Sequence, residues 1–226
     1  MKETVDFLRR LEANNNRVWF NEHKEEFLKI QERFYRFTEE LINEIALFDP
    51  SVRGLNAKDC TYRIYRDIRF SEDKRPYKHH LGAFICPGGK KSGYSGYYFH
   101  VSTGGADNYP DAHMLAVGDY CFTPQVLKIL REDICNGEGD FEETLRIASS
   151  EFKLDTEGAL KRNPKGFPTD APYSEYLRLK SYCLCYMPDE SFIYKENLAS
   201  RVAALFRTTK PFLDYLNRAI KYANEQ

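Results

Sequence analysis

The sequence lacks a long apolar run, and it opens with charged residues. Its longest strictly apolar stretch is the five residues 202–206, far short of the roughly 18 or more that a helix needs to span a bilayer. The opening Met-Lys-Glu-Thr-Val-Asp carries acid where a secretory leader is apolar. These absences predict a soluble, cytoplasmic protein with no membrane partner.

An excess of charge of either sign is also absent. The chain has 33 Lys and Arg against 34 Asp and Glu, which gives a formal net charge of −1. Such a balance creates no global field that would attract nucleic acid, so no nucleic-acid partner is predicted. Any ligand must therefore be held by a local arrangement of charges. The composition leaves the oligomeric state open.

The cysteines lack the spacings of redox and zinc sites. The six are widely spread, and the one close pair, Cys183 and Cys185, is C-x-C rather than C-x-x-C. We therefore expect six reduced thiols. Cys60, Cys86 and Cys121 each fall inside a strand-like run, which favours a place in the core.

The apolar content is sufficient for a folded core. Leu, Ile, Val and Phe supply 54 of the 226 residues, which excludes disorder throughout the chain. No linker rich in Gly, Ser or Pro and no block of charge divides the sequence. The chain is therefore predicted to form a single domain over residues 1–226.

Apolar residues at helical spacing predict helices near both ends of the chain. The first covers residues 4–12 and is stopped by the asparagines 14–16. A long amphipathic helix follows, with Asn21 as its N-cap and a stop at Asp49-Pro50. Helices are expected to dominate after Thr123-Pro124, which opens one of them. The later helices are predicted at 141–152, at 199–206 and in a last segment that ends near 223.

The middle of the chain changes to strand-like runs of β-branched and aromatic residues. The turn residues at 87–89 and 104–110 separate successive runs, and short turns imply antiparallel pairing. The fold class is therefore α+β, with an antiparallel sheet in the middle of the chain packed by N-terminal and C-terminal helices. The predicted strands are 60–70, 81–86, 94–102 and 114–122.

Residues 60–80 concentrate charge in a chain that is otherwise balanced. Six bases meet three acids there, and two histidines follow. If 60–70 is a strand, Arg66 lies on its apolar side and needs a partner, while Asp67 can pair with Arg69. The candidate ligand-binding residues are Arg63, Arg66, Asp67, Arg69, Lys74, Tyr77 and Lys78.

The first hypothesis for this segment is a site for a small anionic molecule. Forked guanidiniums beside a lysine and a phenol suit a carboxylate or a phosphate. Arg63, Arg69 and Lys74 would hold the anion. Asp67 would orient an arginine or act as a base, and Tyr77 would donate a proton or a hydrogen bond. Whether the protein is an enzyme is left open.

The second hypothesis is a non-catalytic structural or protein-interaction domain. In it the same residues form a buried ion-pair network with acids of the long helix, because structural networks produce the same pattern as binding sites. Burial separates the two hypotheses: an open concavity supports the first and complete pairing supports the second. The helix acids concerned are Glu25, Glu32, Glu39 and Glu40.

No motif for a metal, a cofactor or a catalytic nucleophile is complete. Residues 93–97 lack the residue that separates the serine from the second glycine in the G-x-S-x-G motif of hydrolases. Residues 88–92 lack the first glycine of a phosphate-binding loop and the Ser or Thr that directly follows its lysine. His80 and His100 can converge across strands, but no histidine or carboxylate spacing supports a metal site. The sequence therefore predicts no cofactor and no metal ligand, and it assigns no catalytic residue.

Four motifs together carry a resemblance to a known family. Residues 63–77 read R-x-x-R-D-x-R-F followed by (D/N)-K-x-x-Y, and N-x-x-x-W-F stands at 15–20. P-x-x-L-x-x-x-R stands at 124–131 and L-K-R-x-P-K-G-F at 160–167. With them the whole chain resembles a widespread, mainly bacterial family of conserved domains of unknown function. The resemblance implies no activity, and it departs at 116–120, where the family more often has a glycine cluster, so a close backbone approach there is left open.

Overall fold

The protein combines ten α-helices with one five-stranded antiparallel sheet in the part of the chain that the computed structural model describes, residues 1–104, 109–137 and 139–226. Four helices precede the first strand, and three follow the last. The predicted α+β class is therefore confirmed. Of the predicted turn at 104–110, residues 105–108 lie outside the described residues.

The N-terminal helices differ from the predicted ones at one boundary. The asparagines 14–16 follow the first helix as predicted, but Asn21 is not an N-cap. The second helix begins at Arg17 because the Asn16 side chain accepts a hydrogen bond from the Trp19 amide (3.0 Å). No described helix is long and apolar enough to cross a membrane. The helices are α1 (Lys2–Ala13), α2 (Arg17–Glu22), α3 (Lys24–Ile45), α4 (Ala57–Cys60), α5 (Pro124–Asn136), α6 (Asp140–Ile147), α7 (Ser174–Leu177), α8 (Glu190–Ile193), α9 (Leu198–Thr208) and α10 (Lys210–Asn224).

Helix α6 is shorter than the predicted 141–152. Ala148 is extended, and the Ser149 amide donates to the Thr208 hydroxyl (2.9 Å). That amide therefore has a partner outside the helix, and the chain turns away towards the sheet.

The sheet has the order β1-β2-β3-β5-β4, and every neighbouring pair is antiparallel. The predicted strands at 81–86, 94–102 and 114–122 are confirmed, each somewhat shorter at its ends. Two strands after residue 150 were not predicted, because five or fewer residues are too short for periodicity to separate strand from helix. The strands are β1 (Leu81–Ile85), β2 (Gly96–Val101), β3 (Met114–Asp119), β4 (Lys153–Leu154) and β5 (Tyr182–Tyr186).

The prediction of a strand at 60–70 is wrong. This segment makes only two isolated bridges, between Thr61 and Ala83 and between Tyr65 and Tyr77. The Asp67 side chain accepts a hydrogen bond from the backbone amide two residues later, at Arg69. Such local bonds between side chain and backbone compete with the ladder of a sheet, so the charged segment forms an irregular hairpin instead.

The two faces of the sheet differ in what covers them. On one face large side chains pack against helices: Phe99 lies 4.6 Å from Phe37 of α3, and Tyr97 lies 5.2 Å from Phe206 of α9 (ring centroids). The alternate residues of the same strands point to the other face, and four of these eight residues are Gly or Ala. The core therefore fills one face and leaves the second open to form a groove.

The cysteines are all free thiols. Cys60 and Cys86 are buried, as predicted. The core position predicted for Cys121 is wrong, because β3 ends at Asp119 and Cys121 lies exposed beyond it.

Candidate functional site

The open face of the sheet lines a cavity of about 1200 Å³. We call this cavity, with the residues that line it, the open-face groove. None of its lining residues belongs to a described helix. Its floor is made by alternate residues of four strands: Gly82, Phe84, Gly96, Tyr98, Met114, Ala116, Gly118, Cys183 and Cys185.

Two glycines on this floor leave room for close neighbours, one for a side chain and the other for the backbone of the adjacent strand. A Cβ at Gly82 would lie 2.7 Å from the Tyr98 hydroxyl oxygen. At Gly118, φ is +126° and a Cβ would lie 2.0 Å from the Tyr182 carbonyl oxygen. Only glycine adopts this backbone conformation readily. The close backbone approach that the sequence left open is therefore present at Gly118.

Residues 61–80 form the irregular hairpin beside β1. The Tyr62 amide donates to the Gly82 carbonyl (3.1 Å), and the Lys78 amide donates to the Ile64 carbonyl (2.8 Å). The Asn15 side chain fixes the returning arm, because its amide donates to the Tyr77 carbonyl (3.0 Å) and its oxygen accepts from the Tyr77 amide (3.1 Å). The base of the hairpin is therefore held against the sheet, while its tip, residues 66–75, reaches solvent.

Four of the seven predicted site residues lie at the hairpin tip. The Arg69 guanidinium donates to both oxygens of Asp67, at 3.0 and 2.7 Å, and this lowers the pKa of the Asp67 carboxyl to about 2. Arg66 pairs with Asp73 at 2.6 Å. Lys74 donates to the Ile68 carbonyl at 3.1 Å. The ion pairs of the tip are local, and within the described chain none of them involves an acid of α3.

Tyr77 is a packing residue at the base of the hairpin. It is 4% exposed, and its ring stacks on Phe20 with 4.0 Å between centroids. Burial is the main cause that raises the pKa of its phenol. The environment therefore holds the hydroxyl in its neutral form.

The remaining two predicted residues, Arg63 and Lys78, line the open-face groove. The Lys78 ammonium lies over the Tyr62 ring, 5.5 Å from its centroid. Burial lowers the pKa of Lys78, and the neighbouring charge of Arg63 lowers it further. Among the described residues neither cation forms an ion pair. The hairpin thus pairs the arginines of its tip with local acids and leaves two cations at its base.

The pair of Asp67 with Arg69 is too exposed to stabilise the fold. The two side chains are 48% and 76% exposed, and exposed ion pairs contribute little because water and salt screen them. We expect Asp67→Asn to leave the melting temperature unchanged in a thermal unfolding experiment at moderate salt. A clear loss of stability would mean that the tip packs against another part of the molecule.

Two histidines converge at one end of the groove, as the sequence suggested. The rings of His80 and His100 lie 4.4 Å apart. His100 Nε2 donates to the Pro110 carbonyl (3.0 Å), because a carbonyl only accepts, so Nδ1 accepts from the Tyr98 hydroxyl (2.9 Å). Burial lowers the pKa of His100 to about 4 and that of His80 to about 2. Both rings are therefore neutral at pH 7.

Charges of both signs line the groove, and most of the acids lie towards one edge. Arg63 and Lys78 lie beside β1, at one edge of the sheet. Acids collect towards β4 at the opposite edge, where Asp155 and Glu157 line the cavity together with the lysine of β4. Asp119 lies between them, and burial raises the pKa of its carboxyl. The β1 edge, where two cations lie side by side, therefore favours an anion more than the β4 edge, where acids predominate.

The sequence did not identify the groove-lining tyrosines as site residues. Tyr62, Tyr98, Tyr109 and Tyr120 line the same cavity from four separate places in the chain. The alternation of small and large residues in the strands was a usable sequence signal for an open face of the sheet. The pairing of β3 with β5, which completes that face, was not predicted from the sequence. A further group, Glu12, His79 and Asp111, offers three possible metal ligands outside the groove.

One comparison with known proteins gives a match. A family model described as conserved hypothetical protein (DUF2461) matches residues 3–215. Neither the curated proteins nor the solved structures contain a match.

Proposed function

The chain belongs to the conserved hypothetical protein family DUF2461, and on that premise we propose that its open-face groove binds a small anionic molecule. The family description names no activity, so the proposal rests on the geometry of the groove. Arg63 and Lys78 hold the anionic group. The R-x-x-R-D-x-R-F segment, which we propose as a family signature, supplies the first of these cations and the ion-paired hairpin tip.

The observation that carries the proposal is the contrast between the paired tip and the unpaired base of the hairpin. Arg66 and Arg69 each have a carboxylate partner within 2.7 Å. Arg63 and Lys78, in the described part of the chain, have none and face the same cavity. Their mutual repulsion lowers the pKa of Lys78 in addition to burial. An anion placed between them would relieve that repulsion and accept charge-assisted hydrogen bonds.

The rest of the groove favours a ligand with a ring. The groove is also lined by aromatic rings and hydroxyl groups, those of Tyr62, Tyr98, Tyr109 and Tyr120. Their size and position suit a flat ring or a sugar, while the anionic group reaches the β1 edge. The volume of about 1200 Å³ exceeds the roughly 300–1000 Å³ of typical ligand sites, so a molecule the size of a phosphorylated nucleoside or cofactor fits.

The test is a thermal-shift panel of phosphorylated metabolites, dicarboxylates and sulfate at constant ionic strength. A ligand at about 100 times its dissociation constant stabilises the folded state by mass action, which raises the melting temperature by several degrees. At least one compound should produce such a shift. Arg63→Gln and Lys78→Met should each abolish it, since each removes one of the two cations at the base of the hairpin.

Matched controls at the hairpin tip make the result specific. Arg69→Gln and Lys74→Met remove the same types of charge from side chains outside the groove, so both variants should keep the full shift. A general salt effect would act on all anions alike and would survive in all four variants. A flat panel, or a shift that Arg63→Gln and Lys78→Met leave intact, would contradict the proposal and favour the structural alternative.

A further inference from the structure

Glu12, His79 and Asp111 come together from three separate segments, and none of them lines the groove. One possible ligand atom of each lies within 4.8 Å of the others. His79 Nε2 lies 2.6 Å from Asp111 Oδ1, and the imidazole is largely buried whereas the two carboxylates are half-buried. We propose that these three side chains bind a divalent transition-metal ion.

The chemistry of the three side chains sets the class of metal. One imidazole with two carboxylates suits ions such as Mn²⁺, Fe²⁺ and Zn²⁺, which accept both nitrogen and oxygen ligands. The Glu12 carboxylate makes no hydrogen bond or ion pair with any described side chain, so a cation would be its partner. Three protein ligands also leave coordination positions open to water.

The three segments are held together by contacts that do not use the ligand atoms. The Asn15 side chain binds the Tyr77 backbone through two hydrogen bonds, which ties the end of α1 to the segment of His79. The buried Ser102 hydroxyl lies 2.6 Å from the Pro110 carbonyl and 3.3 Å from the His79 carbonyl. It therefore ties the segments of His79 and Asp111 to each other. A site whose supporting contacts are already made needs little reorganisation to bind an ion.

Arg75 is the cation that competes with a metal at this place. Its pKa is raised chiefly by hydrogen bonds to Asp73, and the charges of Glu12 and Asp111 add to the effect. Asp73 also pairs with Arg66. Three carboxylates thus share two guanidiniums, and the surplus negative charge favours a divalent ion.

The experiment uses chelator-treated full-length protein titrated with Mn²⁺ and, separately, Zn²⁺. Calorimetry and thermal shift report binding, and Mn²⁺ serves as the main probe because the free thiols favour Zn²⁺. We expect one ion per chain. Glu12→Gln should weaken binding at least about tenfold, since even outer-shell changes reach that size. The variant should fold, because Glu12 has no described side-chain partner to lose.

The matched control is Glu22→Gln, which replaces an exposed glutamate outside the cluster and should leave binding unchanged. His79→Gln should weaken binding as well, and its unfolding midpoint without metal shows whether the site is still assembled. Binding of neither ion would overturn the proposal. Equal affinity of Glu12→Gln and the unaltered protein would overturn it too, because the ion would then lie elsewhere. Failure of this site leaves the anion-binding groove untested, since the two tests share no residue.

Discussion

Gly118→Ala is expected to destabilise the protein by about 3 kcal/mol or more, combining backbone strain with overpacking. The position combines φ of +126° with a Cβ that would lie 2.0 Å from the Tyr182 carbonyl oxygen. That oxygen belongs to the backbone of the neighbouring strand, so no side-chain rotation can relieve the clash. The strands β3 and β5 would have to separate, and chemical denaturation should show a much lower midpoint.

Gly54→Ala is the matched control for this prediction. Gly54 also has a positive φ, +79°, but no atom lies within 4 Å of the place where a Cβ would be. It therefore isolates the cost of the backbone conformation, about 1 kcal/mol. If Gly118→Ala is no more damaging than Gly54→Ala, the close approach of β3 and β5 is not as tight as the structure has it.

The longer helices were predictable because each has its own periodic signal, whereas the four described helices of six residues or fewer are too short to show one and were not predicted. In α3, Phe27, Ile30, Phe34, Phe37 and Leu41 recur at three and four residues, and all are buried. The strand β5 carries no comparable signal. Its neighbours in the sheet, β3 and β4, are distant in sequence, so its place depends on tertiary packing that a local pattern does not contain.

The sequence located the candidate site, but it did not distinguish the cations that face the cavity from those that lie at the hairpin tip. Charge density singled out residues 60–80, and the local pairing of Asp67 with Arg69 followed from their spacing. Which cations face a cavity depended on the hairpin, whose base lies against β1 and whose tip reaches solvent. Arg63 and Arg69 are the same residue type in one short charged segment, yet only Arg63 lines the groove.

Glu12 and Asp111 show the same limit more strongly. They are separated by about a hundred residues and have no motif in common with His79. Sequence spacing identifies metal ligands only when they share a helix, a loop or a strand. Here the chain brings them together through the contacts of Asn15 and Ser102, whose role is visible only in the folded protein.

Acidification is expected to destabilise the protein through His100, which is buried in its neutral form. Its pKa is lowered to about 4, mainly by burial. In the unfolded chain this histidine is protonated below pH 6.5 or so, because its pKa there is the usual value of about 6.5. In the folded protein it is protonated only below about pH 4. Stability contributed by this group is therefore present above pH 6.5 and is lost as the pH falls, at about 1.4 kcal/mol per pH unit.

The surroundings of His100 contain no acid that would hold the protonated ring. Tyr98 and the Pro110 carbonyl occupy its two nitrogens, and the rings of His80 and Tyr109 pack beside it. The charges that reach it, from Lys78 and from His79 and His113 when protonated, all lower its pKa. The hydrogen bond to the Pro110 carbonyl raises the pKa and offsets part of this effect, but burial outweighs it, so the pKa remains lowered.

His100→Gln tests this directly, because glutamine keeps a donor and an acceptor but cannot be protonated in this range. The free energy of unfolding, measured by urea denaturation with chelator present, should fall less between pH 7 and pH 4.5 in the variant. The difference should be about 2.5 kcal/mol. His23→Gln, which removes a histidine stacked on Trp19 outside this cluster, provides the comparison. Parallel pH profiles for His100→Gln and the unaltered protein would show that His100 takes up its proton in the folded state, and that water reaches this end of the groove.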